Sequence, residues 1–164
     1  MVGPLGPSAQ KIQNLLNDLG HPIHVLEFAA STRTSAEAAA AIGCEVAQIA
    51  KSIIFRTRET GRPVLVVAAG TNRVNEATVA RLLGPAMAGE RLARADADFV
   101  RQKSGYAIGG VPPIGHAVPP IALFDRDLLN FTTVWAAAGT PNAVFPIAPD
   151  TLARLVGGVV GDVV

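Results

Sequence analysis

Residues 105–116, GYAIGGVPPIGH, constrain the fold of this chain more than any other stretch. Glycine permits backbone conformations that other side chains forbid, and proline fixes φ and removes an N–H donor. The backbone therefore sets the shape of such a loop, and its remaining N–H groups point in defined directions. We expect a preformed wall for a small polar ligand. A rigid turn between two elements is the alternative, because clusters of glycine and proline also mark ordinary turns.

The chain has 164 residues, which fits one domain, 1–164, with a single substantial core. Apolar residues make up 49% of the sequence and charged residues 16%, which argues for a compact domain with little disorder. The net charge of +1 lacks the electrostatic footprint of a protein that binds duplex DNA. Any contact with nucleic acid should therefore be local and made by a few residues.

The single cysteine, Cys44, excludes an intramolecular disulfide and a metal site built from several cysteines. It also fits a reducing compartment. No apolar run in the sequence reaches the ~18 residues that span a bilayer. The start of the chain, MVGPLGPSAQ, lacks the charged and apolar regions of a signal peptide. We therefore predict a soluble, cytoplasmic protein without a membrane partner or a cofactor.

Hydrophobic periodicity and capping signals predict helices at 8–20, 34–43, 75–83, 95–102 and 149–155, and a helical turn at 45–50. Short runs of β-branched and aromatic residues predict strands at 23–28, 51–56, 64–69, 121–124, 131–136, 143–147 and 157–164. The second and third strands form a predicted hairpin at the centre of the sheet. Because no regular βαβ repeat is present, the pattern indicates a single α+β domain with a mixed, largely antiparallel sheet flanked by helices.

Lys51 is the most informative single residue. Alternation along its strand puts it on the same face as Ile49, Ile53 and Phe55. An ammonium group on an apolar face is costly unless it has an anionic partner. Lys51 could lie at the start of the strand and snorkel into solvent, which is the more common arrangement. In a pocket it would instead suit a phosphate or a carboxylate.

The sequence contains none of the common hydrolase, protease or nucleotide-binding signatures. Cys44 follows the glycine that ends a predicted helix, and we expect a buried structural thiol there rather than a nucleophile. Asp125 and Asp127 could be a carboxylate pair. We expect them instead to share a solvated face and to cap a turn.

The histidines and the large aromatic residues carry weaker signals. His21 and His24 have no carboxylate or cysteine at ligand spacing, which argues against a metal site. His116 could line a pocket beside the 105–116 loop, although a surface position is the ordinary alternative. Tyr106 and Trp135 could stack on a base, but core packing is the default for both.

Several motifs together resemble one known family. They are TSAEAAAAIGCEVAQIAKSIIFR, VLVVAAGTNRVNEATVARLLG, SGYAIGGVPPIGH, FDRDLLNF, and VWAAAGTPNAVF followed by APDTLARLV. In their order and spacing, over residues 22–164, they resemble the YbaK/prolyl-tRNA synthetase associated domain family of free-standing trans-editing aminoacyl-tRNA deacylases. The IAKS strand and the GGVPPIG loop are specific in combination. The resemblance implies the fold of that editing domain and a role in translation quality control.

By this resemblance, the protein would hydrolyse the ester of a mischarged tRNA, of the proline-tRNA type, and could cooperate with an aminoacyl-tRNA synthetase. Lys51 would engage the 3′ end of the tRNA near its phosphate or the ester. Loop amides would hold the aminoacyl group, and a water or a substrate 2′-hydroxyl would replace a protein nucleophile. The implied site comprises Lys51, Gly109 and Gly110 as catalytic residues and Val111, Pro112, Pro113, His116 and Trp135 as substrate-binding residues.

The chain departs from the family pattern at two places. Alanine-specific members tend to carry a histidine in the region that matches 134–145, where this chain has Trp135 and small residues. Members that act on cysteinyl-tRNA often carry paired lysines in the helix after the hairpin. Here that region reads NEAT at 75–78, flanked by Arg73 and Arg81. The amino acid that is removed and the contacts to tRNA therefore stay open.

Two other classes of function also stay open. A non-catalytic module could use the same pocket to bind an aminoacyl-adenylate or the aminoacylated 3′ end of a tRNA. A structural or protein-interaction domain would have no pocket beside Lys51. A pocket beside Lys51 in the structure would argue against the structural or protein-interaction class. Measured turnover would separate a deacylase from a binding module.

Overall fold

A computed structural model describes residues 4–164 of the chain. The predicted domain, 1–164, thus includes three residues that lie outside the described ones. Within the described part, the α-helices are α1 (Pro7–Asp18), α2 (Ser35–Ile42), α3 (Glu76–Leu83), α4 (Ala97–Ser104) and α5 (Pro149–Val156). Short 3-10 helices cover Val46–Gln48 and Arg126–Asn130. No helix within residues 4–164 is long and apolar enough to cross a membrane.

Eight strands form one mixed sheet. They are β1 (Leu26–Glu27), β2 (Ile49–Thr57), β3 (Pro63–Ala69), β4 (Leu92–Arg94), β5 (Ile121–Asp125), β6 (Val134–Ala137), β7 (Ala143–Ile147) and β8 (Val159–Gly161). Their order is β1-β7-β6-β2-β3-β5-β8, and β4 pairs with β2. The single α+β domain and the central β2–β3 hairpin are confirmed. Antiparallel pairs only slightly outnumber parallel ones, because β2–β6, β3–β5 and β5–β8 are parallel.

Local capping interactions fix the start of α2. The Glu37 N–H donates to Thr34 Oγ1 at 3.1 Å, and the Thr34 N–H donates to Glu37 Oε1 at 3.2 Å. This is the predicted capping box, and it satisfies donors that the first turn of α2 leaves free. Gly43 ends α2 in the left-handed conformation, at φ 85°. The chain can therefore turn at once into the 3-10 helix that leads to β2.

Apolar side chains cover the sheet on both faces. On one face Ala50 and Ile54 of β2 belong to a core that includes Ile12 and Leu16 of α1. On the other face Phe55 packs in a second core with residues of α3. Every residue of β3 is buried, as its unbroken apolar sequence requires in a strand that is covered on both sides. The β2–β3 hairpin is therefore a well-packed part of the sheet, and residues at its edges are held in fixed positions.

The differences from the predicted elements lie at short or weakly patterned segments. Sequence reasoning missed β4 and the 3-10 helix Arg126–Asn130. β4 has only three residues and is held by its backbone register with Phe55, Arg56 and Thr57, which alternation does not reveal. The strands predicted at 23–28 and 131–136 begin later, as β1 and β6, because the ladder pairing starts only at Leu26 and Val134.

Candidate functional site

A cleft of about 300 Å³ opens at the point where β2 and β6 separate. The two strands are in register at Ile49↔Trp135 and Ala50↔Ala136, and their pairing then ends. The cleft is lined by Thr32, Arg33, Thr34, Ser35, Ala38, Ile49, Ala50, Lys51, Ser52, Ile108, Gly109, Val111, Trp135, Ala136, Ala137 and Val144. Side chains from both faces of the sheet therefore contribute to it.

Lys51 faces this cleft and does not snorkel freely into solvent. Its Nζ donates a hydrogen bond of 2.6 Å to the carbonyl of Asn72 and lies 3.5 Å from the carbonyl of Gly70, both in the turn after β3. Burial lowers the pKa of Lys51 below its ordinary value, and the nearby carboxylate of Asp125 partly opposes this shift. The structure thus places a half-buried cation at the cleft wall, with its carbon chain held by the sheet.

The prediction that Asp125 lies on a solvated face is wrong, because its side chain is fully buried. The Ala69 N–H and Asn72 Nδ2 donate to Asp125 Oδ2 at 2.9 and 2.8 Å, and the Asp127 N–H donates to Oδ1 at 3.0 Å. The last of these bonds is the predicted turn cap. Asn72 Nδ2 also donates to Asp127 Oδ2 at 2.8 Å. A buried carboxylate therefore fixes the turn whose carbonyls hold Lys51.

The 105–116 loop forms the opposite wall through Gly109 and Val111. Gly109 has φ 97°, and a Cβ there would lie 2.5 Å from Arg33 Nε. A Cβ on Gly110 would lie 2.7–2.9 Å from the backbone of Thr140, so Gly110 is the point at which the loop packs on its neighbour. Within residues 4–164, the amide N–H groups of Gly109 and Val111 bond to no protein acceptor. Because both residues line the cleft, these N–H groups are candidates for binding a ligand.

The structure brings four of the predicted site residues together at the cleft and places the other four behind it. Lys51, Gly109, Val111 and Trp135 line the cleft. Gly110, Pro112, Pro113 and His116 do not, and all but His116 are buried.

His116, at the end of the loop, points away from the cleft. Its Nε2 is 2.6 Å from the carbonyl of Pro112, within the same loop. Burial lowers the pKa of His116, although its hydrogen bond to Pro112 acts in the opposite direction. Pro113 and His116 also line a separate groove of about 310 Å³ that faces Leu15 and Leu155.

Arg33 is a cleft residue that sequence reasoning missed. Its side chain is exposed at the mouth, and its Nη2 is 3.5 Å from the carbonyl of Ile108. Arg33 directly precedes Thr34, the N-cap of α2, so the predicted capping box already fixed its position beside a helix N-terminus. The contact of Arg33 with the 105–116 loop could not be predicted, because Arg33 and Ile108 are far apart in sequence.

The other residues considered in the sequence, Cys44 and the histidines near the start of the chain, lie outside the cleft. Cys44 is half-buried, rather than buried as predicted, and it packs against the small cluster of Ile49, Ala38 and Ala39. Burial raises the pKa of its thiol, as expected for an unreactive cysteine. His24 is exposed. Within residues 4–164, no group of three or more His, Cys, Asp or Glu side chains could hold a metal ion.

The cleft has a defined chemical character. Its lining includes two cationic residues, Lys51 and Arg33, and two loop residues whose amides have no protein partner in the described part of the chain, Gly109 and Val111. Apolar groups such as Trp135 form the rest of its wall. None of its lining residues is Asp, Glu, His or Cys. The site is suited to binding an anionic or carbonyl-containing ligand and offers no side chain that is an evident general base.

Comparison with known proteins identifies the family. Residues 29–155 match the aminoacyl-tRNA editing domain. The uncharacterized protein YwhH of Bacillus subtilis (strain 168) is 33% identical over 137 residues, which cover 79% of each chain. Part of the proline--tRNA ligase of Limosilactobacillus fermentum (strain NBRC 3956 / LMG 18251) is 35% identical over 95 residues, 56% of this chain and 16% of the ligase.

Two solved structures share the whole fold. The crystal structure of a proposed trans-editing enzyme for prolyl tRNA synthetase matches with a TM-score of 0.87 and 44% identity, covering 97% of this chain and 98% of that one. The hypothetical protein APE2540 matches with a TM-score of 0.82 and 32% identity, over 93% and 98% of the two chains. The resemblance found in the motifs is thus confirmed, and the chain belongs to the aminoacyl-tRNA editing domain family.

Proposed function

We propose that the protein is an aminoacyl-tRNA deacylase that hydrolyses the ester of mischarged tRNA, of the proline-tRNA type, supplied in trans. The observation that carries this proposal is that one cleft is lined by Lys51 and by Gly109 and Val111, whose amides have no protein partner within residues 4–164. In a member of the editing family, this arrangement fits an aminoacylated 3′ end. We place the reaction in the cytoplasm, where charged tRNA is used.

In the proposed reaction, water attacks the carbonyl carbon of the ester that joins the amino acid to the terminal ribose. The bond between that carbon and the ribose oxygen breaks, and the ribose oxygen takes up a proton that originates from the water. The products are the free amino acid and the uncharged tRNA. Because the cleft presents no general base, the water is activated by the substrate itself, through the neighbouring 2′-hydroxyl.

The protein contributes position and electrostatic stabilisation. An amide N–H aimed at the developing oxyanion can contribute roughly 3 kcal/mol in a dry site. Gly109 and Val111 carry such amides, and the packing of Gly110 against Thr140 holds them in place. Lys51 and Arg33 then bind the phosphate that links the last two nucleotides, as charged donors do for phosphates generally.

The loop residues that do not line the cleft support the site without touching the substrate. Pro112 and Pro113 restrict the loop backbone, and His116 bonds to the carbonyl of Pro112 from behind. Trp135 contacts the substrate from the β6 side of the cleft. Of the residues expected to bind substrate, Val111 and Trp135 are therefore proposed as direct contacts, and Pro112, Pro113 and His116 as supports.

The proposal is tested with a panel of mischarged tRNAs. Alanine, cysteine and serine on proline tRNA, and serine and threonine on their own tRNAs, are incubated with the purified protein, and loss of the amino acid is followed. At least one should be lost faster than in buffer, and Lys51→Ala should slow this loss about tenfold or more. Lys11→Ala, which changes an exposed lysine outside the cleft, should not. No acceleration with any of these tRNAs, or equal rates for Lys51→Ala, would refute the mechanism.

One observation favours a second function. Because no acidic, histidine or cysteine side chain lines the cleft, the same geometry also suits a module that binds an aminoacyl-adenylate or an aminoacylated 3′ end without turnover. Tight binding of a mischarged tRNA, with its ester lost no faster than in buffer, would favour this function over the deacylase.

A further inference from the structure

The outer edge of β2 has a gap between its two neighbours. β3 occupies one edge of β2 from Ala50 to Arg56. On the other edge, β6 pairs only with Ile49 and Ala50, and β4 pairs only with residues 55–57. Residues 51–54 thus have no partner strand on that edge. The gap is not exposed sheet surface, because Lys51 and Ser52 line the cleft at this point.

The register shows which backbone groups face the gap. The Ala69 N–H donates to Asp125 on the β5 side, so Ala69 and its partner Ala50 point their polar groups away from each other. Along β2 the direction alternates, and Ser52 therefore points its N–H and C=O away from β3. Hydrogen bonds at the C-terminal end of β2 follow the same alternation. The Thr57 N–H donates to the carbonyl of Arg62 on the β3 side, and the Arg58 N–H donates to the carbonyl of Arg91 on the β4 side.

Both backbone groups of Ser52 lack a partner. Within residues 4–164, the pairing of β2 with β6 stops before reaching them, and no loop group bonds to them. The Ser52 hydroxyl is also buried without a hydrogen-bond partner. Buried or semi-buried polar groups in native proteins are nearly always paired, so three unpaired groups on one residue indicate that a ligand or water takes the missing position.

We propose that the aminoacyl group of the substrate docks on this edge as a one-residue strand, with Ser52 as its partner. In a hydrogen-bonded antiparallel pair, two residues exchange both of their N–H···O bonds. An aminoacyl ester carries a matching set: an α-ammonium donor and a carbonyl acceptor on either side of one Cα. The ammonium donates to the Ser52 C=O, and the ester carbonyl oxygen accepts from the Ser52 N–H with one lone pair while its remaining lone pair stays open to the loop amides.

This inference rests on the proposed function and deepens it, because it assigns recognition of the α-amino group to strand backbone. Residues that pair directly across strands place their side chains on the same face. The side chain of the amino acid then lies on the face of Ser52, which also carries Val111 and Ala136. Trp135 belongs to the opposite face and is left to contact the nucleoside.

The inference is tested by amide hydrogen exchange with two stable ligands. One is 3′-(L-alanylamino)-3′-deoxyadenosine, in which an amide replaces the ester, and the other is its 3′-propionylamino analogue, which lacks the α-amino group. In the free protein the Ser52 amide should exchange faster than those of Lys51 and Ile53, which face β3. Saturation with the alanyl compound should slow exchange at Ser52 about tenfold or more and leave Ile53 unchanged, and the propionyl compound should bind about tenfold more weakly.

The outcomes separate this inference from the function it rests on. If the alanyl compound binds and shifts the Gly109 amide resonance while Ser52 exchange is unchanged, or if both compounds bind equally, the strand-edge inference is wrong and the deacylase proposal stands. Failure of both compounds to bind contradicts both. Ser52→Ala keeps the backbone and loses the hydroxyl, so ligand-induced slowing at residue 52 should persist in it; its loss would assign recognition to the side chain and overturn the inference.

Discussion

Lys51 donates its hydrogen bond of 2.6 Å to the backbone carbonyl of Asn72, not to a carboxylate. The side chain of the same Asn72 donates to the buried carboxylate of Asp125 at 2.8 Å. The Asp125 carboxylate, which is the nearby opposite charge, therefore does not touch the Lys51 ammonium and is linked to it through Asn72. The hydrogen-bond partners of the Lys51 ammonium are neutral carbonyls, so within the described residues its positive charge is not taken up by a direct ion pair.

Asp125→Asn is predicted to destabilise the fold. All three groups that face the carboxylate are donors, so an amide NH₂ at either oxygen position sets a donor against a donor. We expect a loss of about 2–4 kcal/mol in the free energy of unfolding, measured by urea denaturation. Asp162→Asn is the matched control, because its pair with Arg126 is exposed and 3.5 Å long, and should change stability by less than about 1 kcal/mol. Equal losses of stability in the two variants would contradict the stabilising role given to the Asp125 carboxylate.

The pKa of Lys51 provides a second prediction. Burial lowers it from the ordinary value of 10.5, and the charge of Asp125 raises it. Removal of that charge in Asp125→Asn should therefore lower the pKa of Lys51 further. A titration of the lysine side-chain resonances by NMR would measure the shift, with Asp162→Asn as the control. A pKa that rises or stays constant in Asp125→Asn would show that the two groups are not electrostatically coupled.

The parts of the fold that could be predicted from sequence are those with local signals. The capping box at Thr34, the alternation of β2 and the unbroken apolar run of β3 each report their own surroundings. The loop at Gly109 was also visible, because few functions other than backbone shaping explain so many glycines and prolines. The family motifs then joined these elements into one fold, which the structure and the comparisons confirm.

The rest depends on contacts between residues distant in sequence. The cleft exists because the parallel register of β2 with β6 ends after Ala50, and no local pattern encodes where a parallel pair stops. Arg33 reaches the cleft only because the fold carries it to Ile108. The Asp125 side chain does cap a turn, as predicted, but no local pattern shows that Ala69 and Asn72 come to bond the same carboxylate and that it is buried. His116 is the last residue of the 105–116 loop, yet its ring bonds to the carbonyl of Pro112 and does not line the cleft.

Gly109→Ala is predicted to destabilise the fold. A Cβ there meets strain from φ 97° and a contact of 2.5 Å with Arg33 Nε. Gly89→Ala has the strain alone, because φ is 84° and nothing lies within 4 Å. The strain should destabilise each variant by about 1–3 kcal/mol in thermal or urea unfolding, and Gly109→Ala should lose more than Gly89→Ala. The excess should vanish in an Arg33→Ala background, and an excess that persists there would mean that another contact causes it.

The pKa of His116 predicts a pH dependence of stability. Because burial lowers it below the ordinary value of 6.5, the unfolded chain binds the proton more tightly than the folded one. Stability should therefore be highest above pH 6.5 and fall as the pH decreases through 6.5 towards the lower folded pKa. His116→Gln should reduce this slope in urea unfolding measured between about pH 5 and pH 8. His24→Gln, at an exposed position, should keep it. An unchanged slope in His116→Gln would assign the acid sensitivity to other groups.

Trp135 offers a direct optical test of the cleft, because it is the only tryptophan in the chain. Its ring is partly exposed and lines the cleft beside Ile49, so its fluorescence reports on water at that wall. A ligand that fills the cleft excludes this water, and 3′-(L-alanylamino)-3′-deoxyadenosine should shift the emission to shorter wavelength with a saturable dependence on concentration. Free L-alanine, which lacks the nucleoside, should not do so in the same range. Saturation of the Gly109 amide shift without any change in Trp135 emission would place the ligand away from β6 and remove Trp135 from the proposed contacts.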